Sequence, residues 1–170
     1  YCLVMPDQDA VLAITGGLGD MQAVLNLVWR HLLPAMHAKA LRTNYAAQSQ
    51  LADALYGLQL NPPAGLEESS TTGQISGASY VMEQNETGIS TMRFDFGEEK
   101  CTFFSTSNAG ITKINCGAGN WILGETALFS QFGESRPVAA HYTWVRKDTL
   151  LLTLRFYTTP FCWTVSCRFD

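Results

Sequence analysis

Apolar and polar positions follow two different periods along this chain. From Gly19 to Met36, apolar residues recur every three or four positions, which predicts an amphipathic helix. Asp20 precedes the helix as an N-cap, because its carboxylate can accept from the free N–H groups of the first turn. The apolar stripe consists of Met21, Val24, Leu25, Val28, Trp29, Leu32 and Leu33. A stripe this wide predicts a core helix that packs on a large sheet surface.

Two short apolar runs precede this helix, Tyr1 to Met5 and Ala10 to Thr15, and the turn between them begins at Pro6. They predict a β-hairpin. Because nearly every position is apolar, we expect both strands to be buried on both faces. A second helix is predicted downstream, with Asn44 as its N-cap and Gly57 near its end.

From Gly77 to Asp170 the pattern changes to a period of two, which is typical of strands with one buried face. Because the connections are short, strands that are neighbours in sequence should pair antiparallel in a meander. The predicted strands are Ala78 to Glu83, Ser90 to Phe96, Cys101 to Ser105, Ile111 to Cys116, Trp121 to Leu123, Val138 to Val145, Thr149 to Tyr157 and Phe161 to Phe169.

The fold class expected is therefore α+β and mainly β. About eight strands with one apolar face can curl into an up-and-down, lipocalin-like barrel, and a strongly curved open sheet is the alternative. Between the helices and the strands, residues 61–77 are rich in Pro, Ser, Thr and Gly, which predicts a linker. The chain then divides into a hairpin-helix-helix region (1–60), a linker (61–77) and an antiparallel β domain (78–170).

Charge and composition exclude some classes of function. The net charge is −4 with no basic cluster, which argues against nucleic-acid binding. No apolar run reaches the length of about 18 residues that would cross a bilayer. The chain begins at Tyr1 rather than Met, so we expect a fragment whose targeting signal, if it has one, lies upstream. The compartment therefore stays open between cytoplasmic and exported.

Five cysteines form no C-x-x-C pair and have no paired histidines nearby, which argues against metal ligation. They are expected to be buried small residues. If the turn at Ser107 to Gly110 is a symmetric hairpin, Cys101 and Cys116 lie directly opposite each other. A disulfide between them is an open alternative, although cross-strand bridges tend to be strained.

No catalytic site can be assembled from the residues, and no cofactor is expected. The nucleophile motifs Ser-x-x-Lys, Gly-x-Ser-x-Gly and Tyr-x-Asn are all absent. His31, His37 and His141 are scattered, and His141 is expected to be a packed or surface histidine. The carboxylate pairs Glu67–Glu68 and Glu98–Glu99 fall in the linker and in a turn, where such groups are usually solvated.

Aromatic side chains offer the best candidate binding site. In a small barrel they can line a ligand cavity, since the mouths of β-barrels often bind small molecules. The alternative is that side chains fill the interior of an eight-stranded barrel completely. The candidate ligand-binding residues are Trp121, Tyr142, Trp144 and Trp163.

Two stretches carry a resemblance to a known family. The hairpin Y-C-L-V-M-P-D-Q-D-A-V-L-A-I-T with the helix G-D-M-Q-A-V-L-N-L-V-W-R-H-L-L-P-A-M resembles the end of the β-lactamase-related, penicillin-binding type of serine hydrolase domain, namely its last two central strands and its C-terminal helix. The closing L-R-F-Y-T-T-P-F-C-W-T-V-S-C-R-F resembles the β domain that many bacterial serine hydrolases of this group carry.

This resemblance implies that the family's catalytic motifs lie upstream of Tyr1, so no catalytic role passes to any residue of this chain. The function implied is that of a non-catalytic accessory region which supports the catalytic domain or shapes substrate access. A lipocalin-like small-molecule binder is the alternative. The implied partner is the chain's own upstream catalytic domain. We also expect that the hairpin strands within residues 2–15, cut from their sheet, pair with a second copy, pair with the barrel or pack poorly.

Overall fold

A computed structural model of the protein describes residues 1–66, 68–129 and 133–169. The fold is mostly β, with an N-terminal hairpin, a few helices and a strongly curled eight-stranded sheet that forms a half-barrel. Contacts divide the chain into two units, Tyr1–Leu60 and Asn61–Asp170. Among the described residues, no helix is both long and apolar enough to cross a membrane.

The first unit begins with the predicted hairpin. Strands β1 (Cys2–Met5) and β2 (Ala10–Ala13) pair antiparallel and form a sheet of their own. The turn between them ends at Asp9 in the left-handed region, with φ 47°. The expectation that both strands are buried was wrong: Val4 and Val11, which face each other across the ladder, are each 67% exposed. Each strand of a two-stranded sheet is an edge strand, so neither β1 nor β2 is the central strand with two covered faces that the sequence predicts.

The helices of this unit begin where the caps predict. Helix α1 (Met21–Leu27) is capped by Asp20, whose carboxylate accepts from the N–H of Ala23 at 3.1 Å. The helical path then continues as a π turn (Val28–Leu32) and a 3₁₀ turn (Leu33–Ala35). Pro34 explains the change, since proline lacks the N–H that an α-helical interior requires.

Helix α2 (Tyr45–Tyr56) follows, capped by Asn44, which accepts from the N–H of Ala47 at 3.0 Å. The last turn ends at Gly57, as predicted. Leu51 and Leu55 on this helix are exposed, and so are several apolar residues of the first helical segment.

The second unit contains the eight-stranded sheet. Its strands match the predicted ones within a few residues. Their bounds are β3 (Ser79–Val81), β4 (Ile89–Phe96), β5 (Lys100–Ser107), β6 (Gly110–Ala118), β7 (Ile122–Thr126), β8 (Arg136–Arg146), β9 (Thr149–Arg155) and β10 (Cys162–Arg168).

Strand order differs from a simple meander at one place. The order is β10-β9-β8-β6-β5-β4-β3, and β7 pairs with β8 outside this path. Strand β6 therefore lies beside β8 and runs parallel to it, through Gly117 opposite His141 and Ala118 opposite Tyr142. The expected all-antiparallel meander was wrong here, because β8 is long enough to pair with β7 along one half and with β6 at the next two residues.

The core fills the inner face of the curled sheet. Phe96 of β4 stacks on Trp144 of β8 with ring centroids 6.0 Å apart, although two other strands, β5 and β6, lie between them in the sheet. Phe94 contacts Phe169, which follows β10, at 6.0 Å. Contacts across the sheet are possible only on the concave side, so the period-two apolar faces point inward. The buried members of this core include Phe103, Ile114, Val138, Ala140, Leu150, Leu152, Leu154 and Phe156.

Residues 61–77 are not a spacer, which corrects the linker prediction. Leu66 forms an antiparallel bridge with Trp144, in which the Leu66 N–H donates to the Trp144 carbonyl at 2.7 Å. Helix α3 (Thr72–Ile75) follows, and Ile75 is buried in the core. Ser69 and Thr71 both donate to the carbonyl of Lys147. The segment therefore belongs to the second unit; Glu67 lies outside the described residues.

Candidate ligand groove beside strand β8

Two of the four predicted ligand-binding aromatics are packed in the core. Trp144 is 1% exposed and Tyr142 is 7% exposed. Phe96 contacts both rings, stacking on Trp144 and meeting Tyr142 edge-on with centroids 5.5 Å apart. Burial raises the pKa of the Tyr142 phenol above its ordinary value. These side chains fill the inner face of the half-barrel where the sequence had suggested a cavity.

The other two predicted aromatics lie elsewhere. Trp121 precedes β7 and meets the ring of His141 edge-on at 5.7 Å. Trp163 on β10 is 44% exposed and stacks on Phe129 at 4.4 Å. It borders a cavity of about 260 Å³ that Arg136 also lines. The structure does not bring the four residues into one site.

A larger cleft lies at the open side of the half-barrel, between the two edges of the sheet. It has a volume of about 670 Å³, and its walls come mainly from β3, β4 and β10. The lining includes the apolar and aromatic residues Tyr80, Met92, Val165 and Phe169, together with polar residues such as Gln74 and Arg168. The rings of Tyr80 and Phe169 approach to 5.5 Å and narrow the gap between the edge strands.

Another groove lies where β6 separates from β8. Their pairing lasts for two residue pairs, and beyond Tyr142 the β6 side of β8 is met by the segment around Leu66. A groove of about 790 Å³ remains between this segment, residues 96–98 at the end of β4 and residues 141–144 of β8. We call it the β8 groove; it is lined by Asn61, Pro62, Pro63, Ala64, Gly65, Leu66, Glu68, Ser69, Thr72, Phe96, Gly97, Glu98, Ala118, Gly119, His141, Tyr142, Thr143 and Trp144.

Gly65 sets how closely one wall of the β8 groove approaches the sheet. A Cβ atom on Gly65 would lie 2.1 Å from Thr143 Oγ1 and 2.8 Å from the carbonyl oxygen of Trp144. Real side chains do not approach so closely, so the docked position of this segment requires glycine. The close packing of the Gly65 backbone against β8 therefore fixes the position of this wall.

His141 is, with Thr143, one of the buried polar residues in the lining of the β8 groove. It is 1% exposed, and its Nδ1 has no hydrogen-bond partner among the residues that the structure describes. Burial lowers the pKa of the imidazole below its ordinary value, because the charged form loses its hydration. At neutral pH the ring is therefore uncharged, with one nitrogen that donates and one that accepts.

Charge in the β8 groove is one-sided. The charged side chains among the described lining residues are the carboxylates of Glu68 and Glu98, both exposed to solvent, and this lining includes no Lys or Arg. The groove therefore has a negative rim above a neutral, partly aromatic floor.

The expectation that the cysteines are buried was wrong for Cys2 and Cys162, which are exposed, whereas the predicted opposition of Cys101 and Cys116 is confirmed. Cys101 and Cys116 are directly opposite each other across β5 and β6, both are fully buried, and both are free thiols in this structure. Burial raises the pKa of Cys101 far above its ordinary value and that of Cys116 to about 12. Among the described residues, no group of three or more His, Cys, Asp or Glu side chains is placed to hold a metal ion.

Comparison with known proteins identifies no relative. No protein-family profile, no curated protein and no solved structure matches the chain. The resemblance to β-lactamase-related serine hydrolases therefore rests on the sequence stretches alone.

Sequence reasoning did not select the β8 groove. The sequence predicts that His141 is a packed or surface histidine and that Glu68 and Glu98 are solvated. One signal was present: alternation along β8 places His141 and Thr143 on the face opposite Trp144. A polar pair at the centre of an otherwise apolar strand indicates that something covers that face.

Proposed function

We propose that this chain is the non-catalytic C-terminal accessory region of a β-lactamase-related serine hydrolase. In this proposal the first unit is the closing hairpin and helix of the catalytic domain, and the second unit is an appended β domain. The accessory region supports the catalytic domain or shapes access to its active site.

The observation that carries the proposal is the exposed apolar surface of the first unit. Val4, Val11, Met21, Trp29 and Leu32 are all exposed, although the strands and the helical stripe have the composition of core elements. Apolar patches of this kind usually mark surfaces that another structure covers. The last strands and the last helix of a larger sheet domain would have such surfaces when they are considered without the rest of that domain.

The decisive experiment is to read and express the upstream coding sequence. A Ser-x-x-Lys motif within about 350 residues of Tyr1, a span set by ordinary domain sizes, is expected. The full-length protein should hydrolyse p-nitrophenyl esters or nitrocefin, and the isolated 170-residue chain should not. An upstream sequence without that motif, or ester hydrolysis by the isolated chain, would rule the proposal out.

A second test concerns the hairpin surface directly. In the isolated chain we expect self-association through the apolar hairpin face, which light scattering detects as a mass above that of the monomer. The variant Val4→Ser/Val11→Ser should shift the mass toward the monomer, whereas Val81→Ser, at an exposed position of β3, should not. A wild-type chain that is monomeric over a wide concentration range would contradict this expectation.

The second candidate function is small-molecule binding, and the apolar cleft between β3, β4 and β10 favours it. Its volume of about 670 Å³ is in the range of ligand pockets. Palmitate is a suitable probe of an apolar cleft. We expect it to raise the midpoint of thermal unfolding of the wild-type chain but not of Val165→Trp, whose larger side chain narrows the cleft. Ile111→Trp, at an exposed position outside the cleft, is the control. Equal responses of all three proteins would exclude the cleft as the binding site.

A further inference from the structure

The half-barrel has two free strand edges, and both border the same cleft. Strands β3 and β10 are the two ends of the sheet, so in the described part of the chain β3 pairs with β4 and β10 pairs with β9. The cleft of about 670 Å³ lies between them, since its lining includes Tyr80 of β3 and Val165 and Ser166 of β10. Two strand edges therefore share one opening.

The backbone of β3 presents hydrogen-bonding groups on its free side. Successive residues of an antiparallel strand bond alternately to the neighbouring strand and to the other side. Just after β3, the Met82 N–H donates to the carbonyl of Ser90 on β4 at 2.9 Å. Val81 precedes Met82, so the N–H and carbonyl of Val81 point away from β4. The side chain of Val81 is 85% exposed, which leaves this edge open to solvent.

The backbone of β10 has the same arrangement. Just after this strand, the Phe169 N–H donates to the carbonyl of Asp148 at 2.8 Å, and the register of β10 with β9 is unbroken. Odd-numbered residues of β10 therefore bond to β9, whereas the backbone groups of Thr164 and Ser166 point away from it. The strand contains no Pro, Lys or bulge, the devices that usually keep an edge from pairing.

The number of strands indicates how many are missing from the opening. Seven strands form the continuous path β10-β9-β8-β6-β5-β4-β3, and β7 lies beside it. A closed barrel of about eight strands has an interior that side chains can fill, and Phe94, Phe103 and Trp144 already fill this one. One further strand between β3 and β10 would complete such a ring. The two-stranded hairpin of a second copy would be one strand too wide.

The direction of the two edges sets how an added strand would run. Five antiparallel pairings and one parallel pairing lie along the path, so β3 and β10 run in opposite directions. A strand between them would be antiparallel to one edge and parallel to the other. Both kinds of ladder use the outward N–H and carbonyl groups of the edge strands.

The lining of the cleft indicates the side chains of such a strand. Met92, Val165 and Phe169 lie on its inner side, while the outer side meets solvent. Side chains of a strand alternate between two faces. A segment with apolar residues at every second position would therefore bury them against the core and leave the others in solvent. In strand addition, main-chain bonds contribute affinity and the alternate side chains contribute specificity.

We propose that the cleft between β3 and β10 binds an extended peptide segment of another protein, with apolar side chains at alternate positions, which adds as a strand to the free edges at Val81 and Ser166. This assigns the cleft a ligand class other than a small molecule. It does not depend on a serine hydrolase as the parent protein.

The probe is the acetylated and amidated peptide Lys-Val-Thr-Val-Thr-Val-Lys, which has three valines on one face and lysines for solubility. NMR titration of the ¹⁵N-labelled full chain at pH 7 should saturate with a Kd on the order of 100 μM. The rearranged peptide Lys-Val-Val-Thr-Thr-Val-Lys lacks the alternation and should bind at least about tenfold more weakly. The probe N-methylated at both threonines keeps every side chain but loses donors along one edge, and it should weaken equally.

Hydrogen exchange locates the added strand. The outward amides of Val81 and Ser166 should exchange rapidly in the free chain. At a probe concentration of about ten times the Kd they should slow about tenfold, because only the unbound fraction exchanges. The amides of Tyr80 and Val165, which already bond within the sheet, should change little. Palmitate has no amide groups to pair with the edges, so it should not give this pattern.

Proline variants test the edges separately. Val81→Pro and Ser166→Pro each remove one outward donor, at positions where an edge strand tolerates proline. Each should weaken binding of the probe at least about tenfold. Val81→Thr and Ser166→Ala keep the N–H and are the matched controls, which should bind within about twofold of the wild type.

Several results would overturn the proposal. No saturable shift up to about 1 mM probe is one, and equal binding of the rearranged or N-methylated peptide is another. Stabilisation by palmitate without binding of the probe would leave the cleft to small molecules. A dimer that Val81→Pro dissociates would assign the edges to a second copy. If a proline variant fails to fold, the N-methylated peptide still decides, because it is tested on the wild-type chain.

Discussion

Gly65→Ala tests whether residues 61–66 are a structural part of the second unit. The added Cβ would lie 2.1 Å from Thr143 Oγ1 and 2.8 Å from the Trp144 carbonyl oxygen. Thr143 is buried, so its side chain has little room to move, and the segment must lift from β8 instead. Lifting breaks two backbone hydrogen bonds, from Leu66 N–H to the Trp144 carbonyl (2.7 Å) and from Trp144 N–H to the Leu66 carbonyl (3.4 Å).

At about 0.5–1.5 kcal/mol for each bond, the loss in the free energy of unfolding should be about 1–3 kcal/mol. The assay is urea denaturation followed by tryptophan fluorescence, since three of the four tryptophans lie in the second unit. Gly73→Ala is the control, because a Cβ there meets nothing within 4 Å, and it should be neutral or stabilise by a few tenths of a kcal/mol.

Gly65→Ala/Thr143→Ala should recover part of the loss, because the Trp144 carbonyl remains in the way. A midpoint and slope for Gly65→Ala equal to those of Gly73→Ala would refute the docked position of this segment.

Three further predictions follow from burial. Trp144→Ala should lower the free energy of unfolding by about 3–5 kcal/mol. Trp163→Ala, which removes a half-exposed ring, should lower it by about 1 kcal/mol. If urea denaturation gives the reverse order, the core described above is contradicted. Because burial lowers the pKa of His141, the unfolded chain takes up a proton first, so stability should fall as pH falls from about 7 to 5. His141→Phe should flatten this part of the thermal unfolding profile, and an unchanged profile would refute the assignment. In Ellman's assay at pH 7.5, the exposed thiols of Cys2 and Cys162 should react rapidly, and the buried thiols of Cys101 and Cys116 should react only on unfolding. Cys167 is half-buried and should react at an intermediate rate.

The strands were predictable because one face of each packs in the core. Leu150, Leu152 and Leu154 lie on one face of β9 and are all fully buried. The opposition of Cys101 and Cys116 was predictable because a short hairpin turn fixes the register. The N-caps Asp20 and Asn44 were predictable because their bonds are local.

The parallel contact of β6 with β8 was not predictable from spacing. Short connections make neighbours in sequence pair, and β6 with β7 would satisfy that rule. What decides the order is that β8 extends over Arg136–Arg146 and has room for two partners on one side. The effect of the length of β8 on strand order becomes apparent only when the whole sheet is assembled.

Composition also misassigned residues 61–77. Pro, Ser and Gly are as frequent in irregular segments that pack on a sheet as in flexible linkers. The docking depends on the absence of a side chain at Gly65 and on the backbone of Leu66, and neither feature has a compositional signature.

For the candidate site, the sequence placed the aromatic residues correctly in strands but did not reveal which of them meet. Period two predicts that Tyr142 and Trp144 share a face. It does not predict that the inner face is filled, or that Trp163 lies at the edge of the sheet. The sequence does not predict the β8 groove. The groove forms where the backbones of β6 and β8 separate, and no sequence motif marks that separation.

The contact between Tyr80 and Phe169 has a consequence for folding kinetics. These rings come from the first and last parts of the second unit, so closing the half-barrel joins residues that are far apart in sequence. Such closure has a large entropic barrier and slows folding. On the ribosome, the early strands of this unit must wait until Phe169 has left the exit tunnel before the curl can close. Phe169→Ala should therefore remove one of the ring contacts that bring the edge strands β3 and β10 together.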